Sequence, residues 1–233
     1  MEHIANTMLK IKQQLTSSAE TPSEHLMSCT SDNLLLKRYV PELPSGLWRK
    51  VVAEKIGPKH VQVSGKKLKP EIRDKLKHWL ANRAPQGPLP RGLFLYGLPG
   101  TGKTSILALL MKILVKRHSF LANDIEYYTM HEIVDTLRLL KSFTPALRER
   151  AEHELQRMLS LHVLFVDDLE LDWGSEDLRL IAEFIDKLYR KERTLFIVTN
   201  AGDKAIAAAI KDNIHWARIF RRLREMCYQV AVK

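Results

Sequence analysis

The sequence predicts an α/β fold, in which a parallel sheet is flanked by helices, and three observations support this prediction. Short apolar runs alternate with longer segments of helical periodicity, as in sheets whose parallel strands are joined by crossover helices. The apolar run Leu93–Tyr96 leads directly into a glycine-rich turn. The apolar run Leu161–Val166 ends in two adjacent carboxylates, Asp167 and Asp168.

Ahead of the first predicted strand, the spacing of apolar residues predicts helices over residues 1–15, 45–56 and 70–82. Residues 16–33 are polar and without pattern, which is typical of a linker. Residues 61–65 predict a weak strand or a turn.

We therefore divide the chain into three segments. Residues 1–45 are predicted to be a partly flexible, helical N-terminal extension that binds partners. Residues 46–90 are predicted to be a basic helical segment and linker, and residues 91–233 the α/β core.

The core alternates helices and strands in the order that the fold class requires. Thr129 is predicted to cap a helix over residues 131–140, and Ser175 to cap a helix ending near Arg190. The remaining predicted elements are a helix from Ser105, a strand over 125–129, a helix over 145–159, a strand over 194–199, helices over 203–210 and 217–224, and a strand over 228–232.

Composition limits the class of protein. The chain has 233 residues and a net charge of +10, and 45% of its residues are hydrophobic, which is enough for a sizeable core. No apolar run approaches the roughly 18 residues of a membrane span, and the N-terminus does not resemble a secretory signal. Cys29 and Cys227 are far apart and form no zinc motif, so we expect unpaired thiols in a reducing cytoplasm.

The glycine-rich turn matches the pattern G-x-x-x-x-G-K-[ST], which predicts a nucleoside-triphosphate site. Glycines let several backbone N–H groups approach one polyphosphate, and the following helix directs its N-terminal dipole at the same anion. Lys103 is expected to reach the β- and γ-phosphates, and the Thr104 hydroxyl to be a ligand for Mg²⁺. The alternative is a turn without a ligand, but the order strand, loop, Lys-Thr and helix argues against it. The predicted binding residues are Gly97, Pro99, Gly100, Thr101, Gly102, Lys103, Thr104 and Ser105.

Polar residues follow two further predicted strands. Asp167 is placed to hold Mg²⁺, mainly through water, and Asp168 to orient or deprotonate an attacking water. Asn200 would lie between the phosphate loop and this acidic pair, where it would hydrogen-bond the γ-phosphate or the attacking water. The alternatives are an ordinary strand end for the acidic pair and a turn for the asparagine.

Basic residues are concentrated in one segment. Between Arg49 and Arg83 there are 11 Lys or Arg and three acids, Glu54, Glu71 and Asp74. This concentration favours contact with nucleic acid over an acidic protein partner or a solvated helical face.

Two arginines near the C-terminus form a second basic feature. Arg218 and Arg222 lie four residues apart and share one face of their predicted helix. Neither shows an obvious acidic partner in the sequence, so both are expected to be free to reach the γ-phosphate bound by a neighbouring subunit. The alternatives are contact with DNA phosphates and a solvated face.

Five motifs carry a resemblance to a known family. They are R-G-L-F-L-Y-G-L-P-G-T-G-K-T, Y-Y-T-M-H-E-I-V-D-T-L-R, V-L-F-V-D-D-L, L-F-I-V-T-N and A-R-I-F-R-R-L-R. On these motifs, residues 70–233 resemble the AAA+ ATPases, and among them the bacterial replicative helicase loaders and transposition helpers of the DnaC/IstB type.

The resemblance implies an AAA+ P-loop NTPase fold with ATP and Mg²⁺ as cofactors. Asp167 would be the Walker B residue, Asp168 the water-activating acid and Asn200 sensor 1. Arg218 would be the arginine finger, with Arg222 in reserve. Members of the family act as ATP-assembled homo-oligomers that grip DNA and deliver a replicative helicase or regulate a transposase.

The sequence differs from the family pattern in three places, and each difference leads to an expectation. The second acid is Asp168 rather than the commoner Glu, so we expect slow hydrolysis. The sequence stops shortly after the last predicted strand, so we expect a minimal C-terminal lid or none. Cys29 alone cannot form the N-terminal zinc site that some loaders have.

The leading hypothesis is therefore an ATP-hydrolysing protein that assembles on DNA and loads or regulates a helicase or transposase. One alternative is an AFG1/ZapE-like ATPase that acts on protein partners. Another is an ATP-dependent clamp or filament on DNA with incidental hydrolysis. The sequence leaves open the identity of the partner, the form of DNA and the number of subunits.

Overall fold

The computed structural model describes residues 46–81, 91–117 and 122–233. The predicted N-terminal extension, residues 1–45, and the predicted spacer, residues 84–90, lie outside the described part of the chain.

Five strands form one sheet, and every pair of neighbouring strands is parallel, which confirms the predicted fold class. The strands are β1 (Gly92–Tyr96), β2 (Ile125–Thr129), β3 (Val163–Asp167), β4 (Thr194–Thr199) and β5 (Cys227–Ala231). Their order across the sheet is β2-β3-β4-β1-β5, so the chain crosses over the sheet between successive strands. All five strands consequently end at the same edge, where ligands bind in open parallel sheets.

Eight α-helices of the described residues accompany the strands. They are α1 (Leu47–Lys55), α2 (Pro70–Ala81), α3 (Lys103–Arg117), α4 (Met130–Leu139), α5 (Pro145–Ser160), α6 (Ser175–Arg190), α7 (Asp203–Asp212) and α8 (Ile214–Met226).

Successive residues of each central strand point to opposite faces of the sheet and enter two separate cores. Leu93, Leu95 and Phe196 face the core that contains α1, α2 and α3, whereas Phe94 and Ile197 face the core of α4, α5, α6 and α8. Burial of both faces explains why these strands read as continuous apolar runs rather than as alternating sequences.

The basic segment packs against the sheet through its apolar side. The indole N–H of Trp79, in α2, donates a hydrogen bond to the backbone oxygen of Arg91 over 2.8 Å. The Trp79 ring meets Phe196 edge-on, with 5.8 Å between ring centroids. Val51 and Val52 of α1 are buried in the same core. The lysines and arginines of α1 and α2 therefore lie on helices that are anchored in this core.

The helix caps agree with the sequence in one place and differ in another. Thr129 caps α4 as predicted, and its side chain forms a reciprocal capping box with Glu132. Ser175 is the first residue of α6, and Gly174 is the cap, without a side-chain hydrogen bond. The prediction that Ser175 is the cap is therefore wrong by one residue.

The structure distinguishes between the two alternatives for residues 61–65 and corrects one helix boundary. Residues 61–65 form turns that lead into a short 3-10 helix at Gly65–Lys67, and no strand forms there. The last helix begins three residues earlier than predicted, because the Asn213 side chain accepts a hydrogen bond from the backbone of His215 over 2.8 Å. Within the described ranges, no helix combines the length and the hydropathy that a membrane span requires.

Candidate nucleotide-binding site

The phosphate loop leaves the end of β1 with a backbone that requires glycine. Gly97, Gly100 and Gly102 have φ angles of +144°, +76° and +84°. A Cβ atom on Gly97 would lie 2.1 Å from the backbone oxygen of Val232, so even a methyl group is excluded there. The structure thus places the predicted turn at the carboxyl edge of the sheet, between β1 and α3.

Lys103 is buried, and its ammonium group lies inside the phosphate loop, hydrogen-bonded to the loop's backbone oxygens. Its side chain is 4% exposed. Nζ donates hydrogen bonds to the backbone oxygens of Gly97 (2.8 Å) and Leu98 (2.6 Å) and lies 3.3 Å from Oγ1 of Thr101. Burial lowers the pKa of Lys103, while the Asp167 carboxylate opposes this shift. A positive charge is therefore held at the centre of the loop, and the glycines leave no side chains that would block a phosphate from reaching the loop's backbone.

Thr104 and Asp167 meet although 63 residues separate them. The Thr104 hydroxyl donates a hydrogen bond to Oδ2 of Asp167 over 2.7 Å. Asp167 is the last residue of β3 and is 2% exposed. Parallel β3 brings this carboxylate to the same edge as the loop after β1. The two residues predicted to surround Mg²⁺ are thereby adjacent.

A tyrosine that no sequence motif identifies also contacts this carboxylate. The hydroxyl of Tyr127, in β2, donates to Oδ2 of Asp167 over 3.1 Å, the same oxygen that Thr104 contacts. Burial and the charge of Asp167 raise the pKa of Tyr127, so the phenol stays protonated and remains a donor. Adjacent tyrosines in a strand give no sequence signal for this role. Tyr127 is paired with Phe165, two residues before Asp167, and only this pairing of β2 with β3 brings its hydroxyl to the carboxylate.

Asp168 and Asn200 lie side by side at the ends of β3 and β4. Nδ2 of Asn200 is 3.3 Å from Oδ1 of Asp168. Asp168 has a φ of +59°, in the left-handed region, and it follows the last residue of β3, Asp167. Burial, then the neighbouring Asp167 charge, raises the pKa of Asp168 against an opposing hydrogen bond from Asn200. The geometry thus groups the two predicted polar residues next to the Thr104–Asp167 pair.

Arg218 and Arg222 are not free, and the expectation that they have no acidic partner is wrong. Both donate to Asp186 of α6: Nε of Arg218 to Oδ2 over 2.8 Å and Nε of Arg222 to Oδ1 over 2.9 Å. Arg222 also donates to Glu225 over 2.7 Å and stacks on Tyr189 at 4.2 Å. Within one subunit these contacts lie on α6 and α8, and none joins either arginine to the phosphate loop. These ion pairs could not be predicted from the sequence, because Asp186 is more than 30 residues upstream of both arginines.

A cavity of about 440 Å³ adjoins the phosphate loop. The segment between α1 and α2 forms one wall of it, and the loop with the start of α3 forms another. The lining residues are Lys59, Gln62, Val63, Ser64, Leu68, Lys69, Ile72, Thr101, Gly102, Ser105, Ile106, Val232 and Lys233. Residues 59–69 carry no motif and reach the loop only through the packing of α1 and α2, so the sequence does not predict this wall.

These features fit a nucleoside triphosphate with Mg²⁺. A buried ammonium and an open glycine loop suit a polyphosphate, and the Thr104–Asp167 pair offers the hard oxygen donors that Mg²⁺ prefers. The adjoining cavity has the volume of a small-ligand pocket and could receive the base and ribose.

Comparison with known proteins assigns both a family and a fold. Residues 70–218 match the family model described as the AAA ATPase domain. No curated protein sequence matches this chain.

Solved structures share the fold at low sequence identity. The DnaC helicase loader is 20% identical, with a TM-score of 0.57 over 75% of this chain and 99% of that chain. DnaI is 20% identical, with a TM-score of 0.52 over 79% of this chain and 90% of that chain. AMPPCP-bound DnaA from Aquifex aeolicus is 15% identical, with a TM-score of 0.51 over 74% of this chain and 50% of that chain.

Proposed function

The chain belongs to the AAA ATPase domain family, and on this premise we propose that it binds and hydrolyses ATP, assembles on DNA, and loads or regulates a partner. The partner would be a replicative helicase or a transposase. The observation that carries the ATPase part is the meeting of Thr104 and Asp167 beside the buried Lys103.

Each site residue has a proposed role. Lys103 and the loop from Gly97 to Ser105 would hold the triphosphate, and the cavity beside them would hold the nucleoside. Thr104 and Asp167 would hold Mg²⁺, which neutralises developing charge on the phosphates. Asp168 would accept a proton from the attacking water, and Asn200, 3.3 Å from its carboxylate, would orient that water.

Assembly would complete the site. Arg218 is the proposed arginine finger, with Arg222 in reserve, and each would have to leave Asp186 or share it to reach a neighbouring subunit. Because Asp168 carries one methylene less than Glu, hydrolysis is proposed to be slow. Because the arginine finger comes from a neighbouring subunit, hydrolysis is also proposed to depend on the homo-oligomer.

Two observations support DNA and a replication partner. The exposed Arg73 and Lys75 of α2 continue the excess of positive charge that begins at Arg49. The fold is shared with a protein described as a helicase loader and with DnaA. Within this proposal, residues 1–45 bind the protein partner, residues 46–90 supply the basic surface and residues 91–233 form the ATPase core.

The test is ATP hydrolysis by the purified chain, alone and with single-stranded or duplex DNA, while light scattering follows assembly. Lys103→Ala serves as the inactive control. Stimulation by DNA together with ATP-dependent assembly supports the proposal, and the preferred form of DNA separates helicase loading from transposition. Hydrolysis that no DNA changes would instead favour action on protein partners, whereas ATP-dependent coating of DNA without significant turnover would favour a clamp or filament.

A further inference from the structure

Three cations converge on one indole ring on the side of the molecule formed by α1 and α3. Nζ of Lys112 lies 4.1 Å from the centroid of the Trp48 ring, and Nζ of Lys116 lies 5.0 Å from it. Cζ of Arg49 lies 5.5 Å from the same centroid. We call these four residues the Trp48 cluster. Attraction to the face of the ring holds the cations in place, and it also brings them close to one another.

Nothing in the described part of the chain neutralises this cluster. Within residues 46–81, 91–117 and 122–233, none of its three cations forms an ion pair with a carboxylate. Burial lowers the pKa of Lys112, and the charges of Lys116 and Arg49 lower it further, so the three positive charges oppose each other. An anion bound among them would relieve this repulsion.

The surroundings favour a polyanion over a single carboxylate. Arg49 and Lys116 are exposed, whereas Lys112 and Trp48 are half-buried. A ligand can therefore approach the cluster from the side of Arg49 and Lys116, while Lys112 and Trp48 pack against the protein. Arg49 of the cluster is, in sequence, the first residue of the basic segment that carries eight more positive than negative charges. A nucleic-acid strand carries several phosphates and can neutralise the three cations together, which an isolated acidic side chain cannot do.

We propose that the Trp48 cluster is a binding site for the phosphodiester backbone of DNA, with Lys112 and Lys116 as the main phosphate contacts. This inference rests on the proposed assembly on DNA and specifies where the chain holds the strand. Trp48 is a positioning residue, because it keeps the ammonium groups together without contacting the phosphate.

The site adjoins the cavity beside the phosphate loop. Nζ of Lys112 also donates a hydrogen bond to the backbone oxygen of Val63 over 3.3 Å, and Val63 lines that cavity. DNA bound by the cluster would therefore lie next to the segment that closes the nucleotide cavity.

The first experiment compares the double variant Lys112→Ala/Lys116→Ala with the full wild-type chain. Binding of fluorescein-labelled single-stranded and duplex DNA is followed by anisotropy over a series of salt concentrations, with a non-hydrolysable ATP analogue present. Loss of two phosphate contacts should weaken binding about ten-fold or more at moderate salt. It should also reduce the slope of log K against log salt by about 1.4 for a single strand or about 1.8 for a duplex.

A matched control removes the same charge elsewhere. Lys187→Ala/Lys191→Ala deletes two exposed lysines at the end of α6 and should leave the affinity and the salt slope near wild type. If both double variants lose affinity and salt slope equally, DNA binding depends only on net charge. That result would overturn the proposed site at the Trp48 cluster, but it would not contradict the proposed assembly on DNA. Wild-type protein that binds neither form of DNA would overturn the site together with the DNA part of the proposed function.

Two further measurements examine the ring and the chemistry of the ligand. Trp48→Phe should keep most of the DNA affinity, and Trp48→Leu should lose it. Neither substitution changes the charge, but only an aromatic ring attracts the cations to its face. Equal affinity of these two variants would remove the positioning role. Displacement of labelled DNA by polyglutamate as effectively as by inorganic polyphosphate would indicate an acidic protein as the ligand and overturn the assignment to DNA.

Discussion

Arg218 in α8 donates a hydrogen bond from Nε to Oδ2 of Asp186 in α6 over 2.8 Å, within a single subunit. Asp186 is almost completely buried, and it holds Arg222 through its other oxygen. The arginine proposed to complete a neighbour's site thus has a partner in its own subunit. An arginine finger here would exchange Asp186 for the γ-phosphate of the adjacent subunit.

Mixed oligomers test this exchange. Arg218→Ala alone should lower hydrolysis about 1,000-fold while keeping nucleotide binding. Addition of Asp168→Asn subunits, which are inactive themselves but keep Arg218, should restore part of the activity, because they supply the missing guanidinium in trans. Steady-state phosphate release from each protein and from the mixture measures this. Arg221→Ala, an exposed arginine on the same helix, is the control. A mixture as inactive as its components would remove Arg218 from the role.

The Asp186 ion pairs predict how stability depends on pH. Burial alone would raise the pKa of Asp186, but hydrogen bonds from Arg222 and Arg218 outweigh it, and the pKa lies below its ordinary value. The carboxylate therefore stabilises the fold above the unfolded pKa of about 3.9, and this contribution disappears as the pH falls through the lower folded value. Urea unfolding of wild type and Asp186→Asn should show a gap in unfolding free energy at pH 7 that narrows below about pH 4. A gap that is constant with pH would contradict the electrostatic origin.

Lys103→Ala should abolish nucleotide binding. The substitution removes the buried charge that the loop carbonyls of Gly97 and Leu98 hold in place, and nothing else in the loop carries a positive charge. Titration with a fluorescent ATP analogue measures the affinity, and Lys204→Ala, an exposed lysine in α7, should bind as wild type does. Wild-type affinity in the Lys103 variant would place the nucleotide elsewhere.

Asp168→Asn should trap the ATP-bound state. The amide keeps the size of the side chain but cannot accept the proton of the attacking water, so hydrolysis should fall about 100-fold or more while ATP binding persists. Single-turnover hydrolysis and filter retention of labelled ATP separate the two effects. Asp172→Asn changes an exposed aspartate in the following loop and should leave both unchanged. Normal turnover in the Asp168 variant would argue against its role.

Tyr127→Phe should raise the Mg²⁺ concentration that gives half-maximal hydrolysis by about five-fold, the equivalent of one lost hydrogen bond to Asp167. Nucleotide affinity measured with excess EDTA should be unchanged, because the loop contacts of Lys103 are intact. Tyr128→Phe is the matched control. Its hydroxyl lies on the other face of β2 and donates to Glu154 over 2.6 Å, so its loss should affect stability but not the Mg²⁺ requirement. Identical Mg²⁺ curves for wild type and Tyr127→Phe would show that Tyr127 does not position the carboxylate.

The order of strands and helices could be predicted from the sequence, and the fold class was confirmed. Buried strands such as Thr194–Thr199 are apolar on both faces, and the glycine loop after β1 has a fixed spacing, so local pattern suffices for both. Thr129 could be recognised as a cap because its partner Glu132 is three residues away. The roles of the predicted site residues remain predictions.

The sequence by itself determined what depends on neighbours in the chain: the alternating strands and helices, the phosphate loop and the carboxylates that end β3. Only the tertiary structure decided what depends on distant residues. Strand order and register bring Tyr127 to Asp167, helix packing gives Arg218 its partner Asp186, and α1 carries Trp48 to Lys112. The physical reason is that periodicity and turn chemistry act over a few residues, whereas these contacts join side chains more than 30 residues apart.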